Sequence, residues 1–242
     1  METYAQLKQN LKKLKLTCMY ENIEQRHQEA IQGKMKYSDW LLLLTQDEID
    51  RKNNMKIESL IKRSKIGKYN SILEFDFDFN PKINRQQILN FTSCDFIARN
   101  ENIIITGPTG VGKTFIAKSL GIEACRRDMT ALFTRTAQML DDICFGYADG
   151  TLKLKLKSYI KPKLLILDDW GLQAFNDKSL AILNEIISER YENGSIIITS
   201  NRPFKSWNEL FNEQVIASAL LDRLFNKTHK IIIDGKSYRR SL

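Results

Sequence analysis

With 242 residues, 43% of them hydrophobic and 27% charged, the chain has the composition of an ordinary soluble protein and room for one α/β domain plus a smaller appendage. A formal net charge of +8 calls for an anionic partner, nucleic acid first, unless the lysines only keep the surface soluble. No apolar run reaches the roughly 18 residues of a membrane span and the first residues hold no signal h-region, so a cytoplasmic protein with no membrane partner is expected. Cys18, Cys94, Cys125 and Cys144 are scattered without a CxxC pair, which fits reduced thiols and not a structural zinc site.

Residues 1–70 read as a helical N-terminal domain nearly free of Pro and Gly. Apolar side chains recur there at helical spacing, at Leu7, Leu11 and Leu14, at Trp40, Leu43 and Leu44, and at Ile57, Leu60 and Ile61. Residues 71–84 read as a linker: Gly67 and Asn70 precede it, Asn80 and Pro81 lie within it, and Phe75, Phe77 and Phe79 alternate with Asp76 and Asp78 in a way no helix uses. A second domain, 85–242, alternates short apolar strands with helices. Strands are expected at 102–106, 130–134, 163–168, 195–200 and 230–233, and helices near 113–127, 136–146, 177–193 and 213–225. Such alternation predicts an α/β fold whose parallel five-stranded sheet lies between helices.

The first strand of that domain runs into Gly107-Pro108-Thr109-Gly110-Val111-Gly112-Lys113-Thr114, a complete GxxxxGK[ST] opening a helix. In this context the glycines let backbone N–H groups close around phosphates, Lys113 reaches the β and γ oxygens, and Thr114 offers its hydroxyl to Mg²⁺. Residues Gly107 through Phe115 are the candidate ATP-binding set. The strand KLLILD then ends in two adjacent carboxylates. Asp168 suits the second Mg²⁺-holding position, and Asp169, which faces the other way, suits a water beside the γ-phosphate. Strand-end turn chemistry is the competing reading of the pair. One further strand emerges at Ser200-Asn201, where the Asn201 amide would meet the γ-phosphate and the water, or would merely open the turn before Arg202-Pro203.

Taken together, GPTGVGKT, LLILDDWG, IITSNRPFKSW, SALLDRL and the terminal GKSYR resemble the AAA+ ATPases of the IstB/DnaC group, closest to the IstB-type helper ATPases of insertion sequences. The resemblance spans nearly the whole chain, including LKLTCMYENIEQRHQEA and LEFDF near its start. It implies ATP hydrolysis with Mg²⁺, homo-oligomerisation in the presence of ATP, binding to DNA phosphates, and stimulation of a transposase through the N-terminal helices. A helicase loader of the DnaC type is the alternative with the same motor, and a P-loop kinase or a non-hydrolysing nucleotide-binding protein is the alternative of another class. By the same resemblance Asn201 matches sensor 1, and Arg223 in LLDRL matches the arginine finger that completes a neighbour's site, against a reading as surface charge. Arg239 matches a sensor-2 arginine, with Arg240 an equal claimant. The basic residues nearest the DNA-facing side are Arg135, Lys153, Lys155 and Lys157, although the Lys/Leu alternation in TLKLKLKSYIK also suits a hairpin strand or a solvated helix face. Two residues depart from the family pattern: Asp169 where the longer Glu is frequent, and Trp170 where a smaller residue is common.

Overall fold

The computed structural model describes residues 2–68, 71–80 and 83–238. The chain divides into two compact units, Met1–Ser59 and Leu60–Leu242.

The first unit holds α1 (Glu2–Lys13), α2 (Thr17–Gln32) and most of α3 (Tyr37–Arg63). Of the predicted apolar stripes Leu11 and Leu44 reach the centre, where they form the core with Met19 and Ile23 of α2, and Tyr4, Leu16 and Trp40 pack around it. Leu7 and Leu14 stay exposed. The buried carboxylate of Glu48 caps α2, accepting hydrogen bonds from the backbone N–H groups of Cys18 at 2.7 Å and Met19 at 3.2 Å, and Arg51 neutralises it at 2.6 Å. An acidic cap at the positive end of a helix is favourable on two counts, hydrogen bonding and dipole.

The second unit begins inside α3, ten residues before the boundary expected at residue 70, because Leu60 and Ile66 are buried in its core. Residues 71–84 are likewise not a free linker. Ile72, Phe75, Phe77 and Ile83 sink into the same core, so the Phe/Asp alternation separates a buried face from an exposed one without forming a strand. Two short helices follow, α4 (Arg85–Asn90) and α5 (Asp95–Ala98).

Five strands then build the sheet: β1 (Asn102–Thr106), β2 (Ala131–Arg135), β3 (Leu164–Asp168), β4 (Ser195–Ser200) and β5 (Thr228–Ile232). All pairings are parallel and the order is β2-β3-β4-β1-β5. Between the strands run α6 (Lys113–Arg126), α7 (Thr136–Asp149), α8 (Leu152–Ile160), α9 (Asp177–Arg190) and α10 (Gln214–Phe225). Alternate strand residues feed two cores, Ile103, Ile105 and Ile166 on one face and Ile104, Leu165, Leu167 and Ile198 on the other. This is the arrangement that near-continuous apolar strands require. The segment 152–160, open between strand and helix in the sequence, is a helix that buries Leu156 and Tyr159.

Arg190 closes the end of the sheet away from the strand C-termini. Its buried guanidinium donates to the carbonyls of Tyr159, Ile160, Pro162, Lys163 and Ser195 and so fixes the entry to β3 and β4. Burial pulls its pKa down to about 10, which leaves it a cation at neutral pH. Among the described residues no helix is long and apolar enough to cross a membrane.

Candidate nucleotide site

In a parallel sheet every strand delivers its C-terminus to the same edge, and the phosphate loop, Asp168, Asp169 and Asn201 lie there. The glycine-rich loop leaves β1, flanked by β4 and β5. Gly110 has φ +85°, and a Cβ placed on it would lie 2.1 Å from the Ser237 hydroxyl, so neither backbone nor space admits a side chain. Gly112 is the N-cap of α6 and contributes no side-chain cap, so N–H groups of the first turn are directed toward the loop without a capping side chain. Lys113 opens the helix with its Nζ turned back into the loop, donating to the carbonyls of Gly107 at 2.8 Å and Pro108 at 2.7 Å. Pro108 and Thr109 are exposed and Val111 is buried. Phe115 packs against Phe75, ring centroids 5.5 Å apart.

Asp168, only 4% exposed, is the last residue of β3, which does not adjoin β1. The intervening β4 supplies the link. The Thr199 hydroxyl donates to Asp168 Oδ1 at 2.5 Å, the Thr114 hydroxyl donates to the same oxygen at 2.7 Å, and the Thr136 hydroxyl holds the Asp168 carbonyl at 3.0 Å. The carboxylate and the first turn of α6 are thereby joined across the sheet.

Asp169 turns the other way. Its backbone is left-handed at φ +57°, a conformation that Asp tolerates better than most residues at a cost of about 1 kcal/mol. Its N–H donates to Thr199 Oγ1 at 3.2 Å, and its side chain, 38% exposed, stands 4.0 Å from the Nε of Arg135. Asp169 and Asn201 line one cavity of about 100 Å³ together with Trp170, Gly171, Leu172 and Arg202. The two acids thus diverge because the strand ends at Asp168 and the chain turns left-handed at Asp169.

Arg223 is not brought to this edge. Half-buried on α10, it donates to Asn184 Oδ1 at 3.3 Å and lines a small pocket with Asn100, Asn102 and Lys227 at the N-terminal ends of the strands. Strands of this length separate the two edges by about 13 Å at 3.3 Å per residue. Arg239 and Arg240 lie outside the described residues.

The basic candidates separate as well. Arg135 ends β2 with a side chain 71% exposed, and Lys153 and Lys157 are exposed one turn apart on α8. Lys155 departs from the expectation: it is turned toward α7 and ion-paired with Asp142, which also accepts from the Tyr159 hydroxyl at 2.8 Å. In a helix, positions two apart point in nearly opposite directions, so the three lysines do not form one row.

Sequence reasoning passed over Thr199, although a hydroxyl inside the apolar run SIIITS is a signal that the strand faces something polar. It also passed over Tyr238. The N–H of Tyr238 donates to the Gly110 carbonyl at 2.9 Å, and its ring stacks on Phe79 at 4.1 Å, so the chain following β5 returns over the loop.

Residues 9–241 match the family of IstB-like ATP binding proteins. The chain is 36% identical to the ATP-binding protein of insertion sequence IS232 from Bacillus thuringiensis subsp. berliner, over 98% of this chain and 95% of that protein. Among solved structures it is similar in fold to DnaI, with a TM-score of 0.57 and 22% identity over 72% of this chain and 92% of that one. The DnaC helicase loader is similar at a TM-score of 0.53 and 19% identity, over 72% of this chain and 98% of that one. With a five-stranded parallel sheet, a complete phosphate loop and a family match across nearly its full length, the chain has the AAA+ P-loop fold and belongs to the family of IstB-like ATP binding proteins.

Proposed function

We propose that this protein hydrolyses ATP with Mg²⁺, assembles on DNA in the ATP-bound state, and acts in the cytoplasm as the helper of an insertion-sequence transposase. The observation that carries the reading is the division of labour at the end of β3: Asp168 buried against the Thr114 hydroxyl, Asp169 turned out beside Asn201. The phosphate loop binds the triphosphate through backbone N–H groups and the Lys113 ammonium, which here rests on two loop carbonyls and exchanges them for phosphate oxygens. Thr114 and Asp168 suit a Mg²⁺ ion. One carboxylate and one hydroxyl are the small protein share typical of a cation that takes its other ligands from phosphate and water, and among the described residues no group of three or more His, Cys, Asp or Glu could hold a metal ion. That ion, when bound, neutralises phosphate charge.

In this reading Asp169 accepts the proton of the attacking water, Asn201 orients it, and Arg223 serves the transition state of a neighbouring subunit. Arg239 is kept as the sensor-2 candidate on sequence grounds. DNA phosphates meet Arg135, Lys153 and Lys157, in keeping with the net charge of +8. The insertion-sequence origin of the relatives supports the transposase as client, and the N-terminal helices are its docking element because the nucleotide motifs lie elsewhere.

The decisive experiment measures ATP turnover with and without duplex DNA for the native protein, Lys113→Ala and Asp169→Asn. Native turnover stimulated by DNA, loss of ATP-analogue binding in Lys113→Ala, and retained binding with turnover reduced roughly 10²-fold in Asp169→Asn are expected. Full turnover in Asp169→Asn would remove the acid from its role. Native protein that binds ATP but never hydrolyses it, on DNA or off, would leave only nucleotide binding.

A further inference from the structure

The turn after β3 carries one large side chain that phosphate chemistry has no use for. Trp170 is 1% exposed, with its ring 5.0 Å from Phe175 and 5.5 Å from Trp207. Its indole N–H is buried without a hydrogen-bond partner in the protein. Buried indoles ordinarily find one, so packing and not polarity keeps this ring in place.

Around the ring the backbone is tied to β4 and the residues that follow it. The Trp170 N–H donates to the Thr199 carbonyl at 2.9 Å, and the Ser200 hydroxyl donates to the Trp170 carbonyl at 2.7 Å. Arg202 donates through Nε to the Gly171 carbonyl at 2.7 Å and through its backbone N–H to Ser200 Oγ at 3.1 Å. Asn201 sits between those two anchored residues. On either side of the ring the chain is left-handed, at Asp169 with φ +57° and at Gly171 with φ +68°. A Cβ on Gly171 would lie 2.5 Å from Leu210, so the turn is pressed against the same apolar cluster that holds Trp170.

We propose that Trp170 is a positioning residue: its ring, clamped between Phe175 and Trp207, locks the turn so that Asp169 and Asn201 face one cavity, a space of about 100 Å³ that suits a few water molecules. Asp169 in a left-handed conformation gains by relaxing to an extended one, and a relaxed turn carries its carboxylate away from Asn201. The ring resists that motion because moving it opens a void in a close-packed cluster. Asp168 and Thr114 do not depend on it, since they are held by strand and helix and by Thr199. The inference rests on the reading of Asp169 as the acid that acts on water.

The test is a mutant cycle in the full chain. Trp170→Leu, Trp170→Phe and each of them combined with Asp169→Asn are compared for affinity toward a fluorescent ATP analogue and for single-turnover hydrolysis. Trp170→Leu should bind the analogue as the native protein does and lose turnover on the order of tenfold to a hundredfold, the cost of a small misplacement of a reacting group. Trp170→Phe, which keeps an aromatic ring in the cluster, should retain most of the activity. Within the Asp169→Asn background Trp170→Leu should add no further loss, because a residue that acts through Asp169 has nothing left to position. A full, additive loss in that background would overturn the proposal, as would a loss of affinity that parallels the loss of turnover. Undiminished turnover in Asp169→Asn alone would instead overturn the reading of Asp169 on which the proposal stands. If Trp170→Leu fails to fold by circular dichroism, Trp207→Phe loosens the same stack from the other side and takes its place in the cycle.

Discussion

Replacing Thr199 by Val tests the link across the sheet with little change of shape. The hydroxyl makes two hydrogen bonds, one to the buried Asp168 carboxylate at 2.5 Å and one from the Asp169 N–H at 3.2 Å. A hydrogen bond to a charged group contributes about 1.5–3 kcal/mol, and a backbone N–H left unpaired costs about 1 kcal/mol or more. The extra buried methyl returns up to about 0.8 kcal/mol. The net loss is therefore about 2–3 kcal/mol, which lowers the melting temperature by roughly 4–12 °C in a domain of this size. Calorimetry or urea unfolding of Thr199→Val and Thr199→Ser reads it directly. Serine keeps the hydroxyl and loses only the buried methyl, so it should fall about 1 kcal/mol below the native protein and stay well above the valine variant. Binding of an ATP analogue should lose much of its Mg²⁺ dependence in the valine variant alone, because Asp168 is then oriented only by Thr114. A valine variant as stable as the native protein, or a serine variant as damaged as the valine one, would refute the assignment of the link to the hydroxyl.

Other consequences follow from the same geometry. Arg223→Ala should leave the nucleotide affinity of the single chain unchanged while stopping turnover, and mixing it with Lys113→Ala subunits should restore part of that turnover; no rescue at any ratio, with mixed assembly confirmed, would count against action on a neighbour. Lys153→Gln with Lys157→Gln should reduce the slope of log DNA affinity against log salt by up to about two units, whereas Lys155→Gln should change stability more than slope, since its ammonium is already paired. An equal slope change from Lys155 would contradict the pairing. The Glu101 carboxyl is held down to about 2, first by Arg99 and then by His229. A carboxylate with a depressed folded pKa stabilises the fold above its unfolded value near 4.3 and loses that contribution as pH falls toward 2. The stability gap between native protein and Glu101→Gln should therefore close as pH falls below about 5, and a gap that persists to pH 2 would show the ion pairs to be irrelevant.

Much of this architecture could be read from the sequence because it rests on local rules. Apolar runs of five or six residues bounded by turns are strands wherever they fall, and β1, β3 and β4 begin within one residue of their expected positions. The phosphate loop is equally legible, since its whole motif lies within eight residues, although the close approach of Ser237 to Gly110 is set by the fold. What escaped depends on partners distant in the chain. The segment 71–84 looks like a linker because nothing near it reveals that Phe75 and Phe77 have a core to enter. Lys155 looks like its neighbours until the fold supplies Asp142. Thr199 offers only a hydroxyl in an apolar run as a hint, and its task emerges when the strand order places β4 between β1 and β3.

That strand order also bears on why a single chain would not suffice for the proposed reaction. Parallel strands send the phosphate loop, the two aspartates, Arg135 and Asn201 to one edge of the sheet, each at the end of its own strand. Arg223 stands at the opposite edge, held by Asn184 and near Asn102 at the start of β1. No side-chain rearrangement carries a guanidinium across the length of a strand, and moving α10 as a body would expose Ala217, Leu220, Leu221 and Leu224, four buried residues whose joint transfer to water costs several kcal/mol. An arginine fixed in that place completes a nucleotide site only when the loop edge of another copy meets it. Under the proposed reading, then, assembly precedes hydrolysis, and DNA stimulates turnover by raising the local concentration of subunits along its phosphates. Turnover per subunit should consequently rise with protein concentration when DNA is absent and become nearly independent of it on saturating DNA. First-order behaviour at every concentration without DNA would mean that one chain is complete, and would return Arg223 to the surface charges.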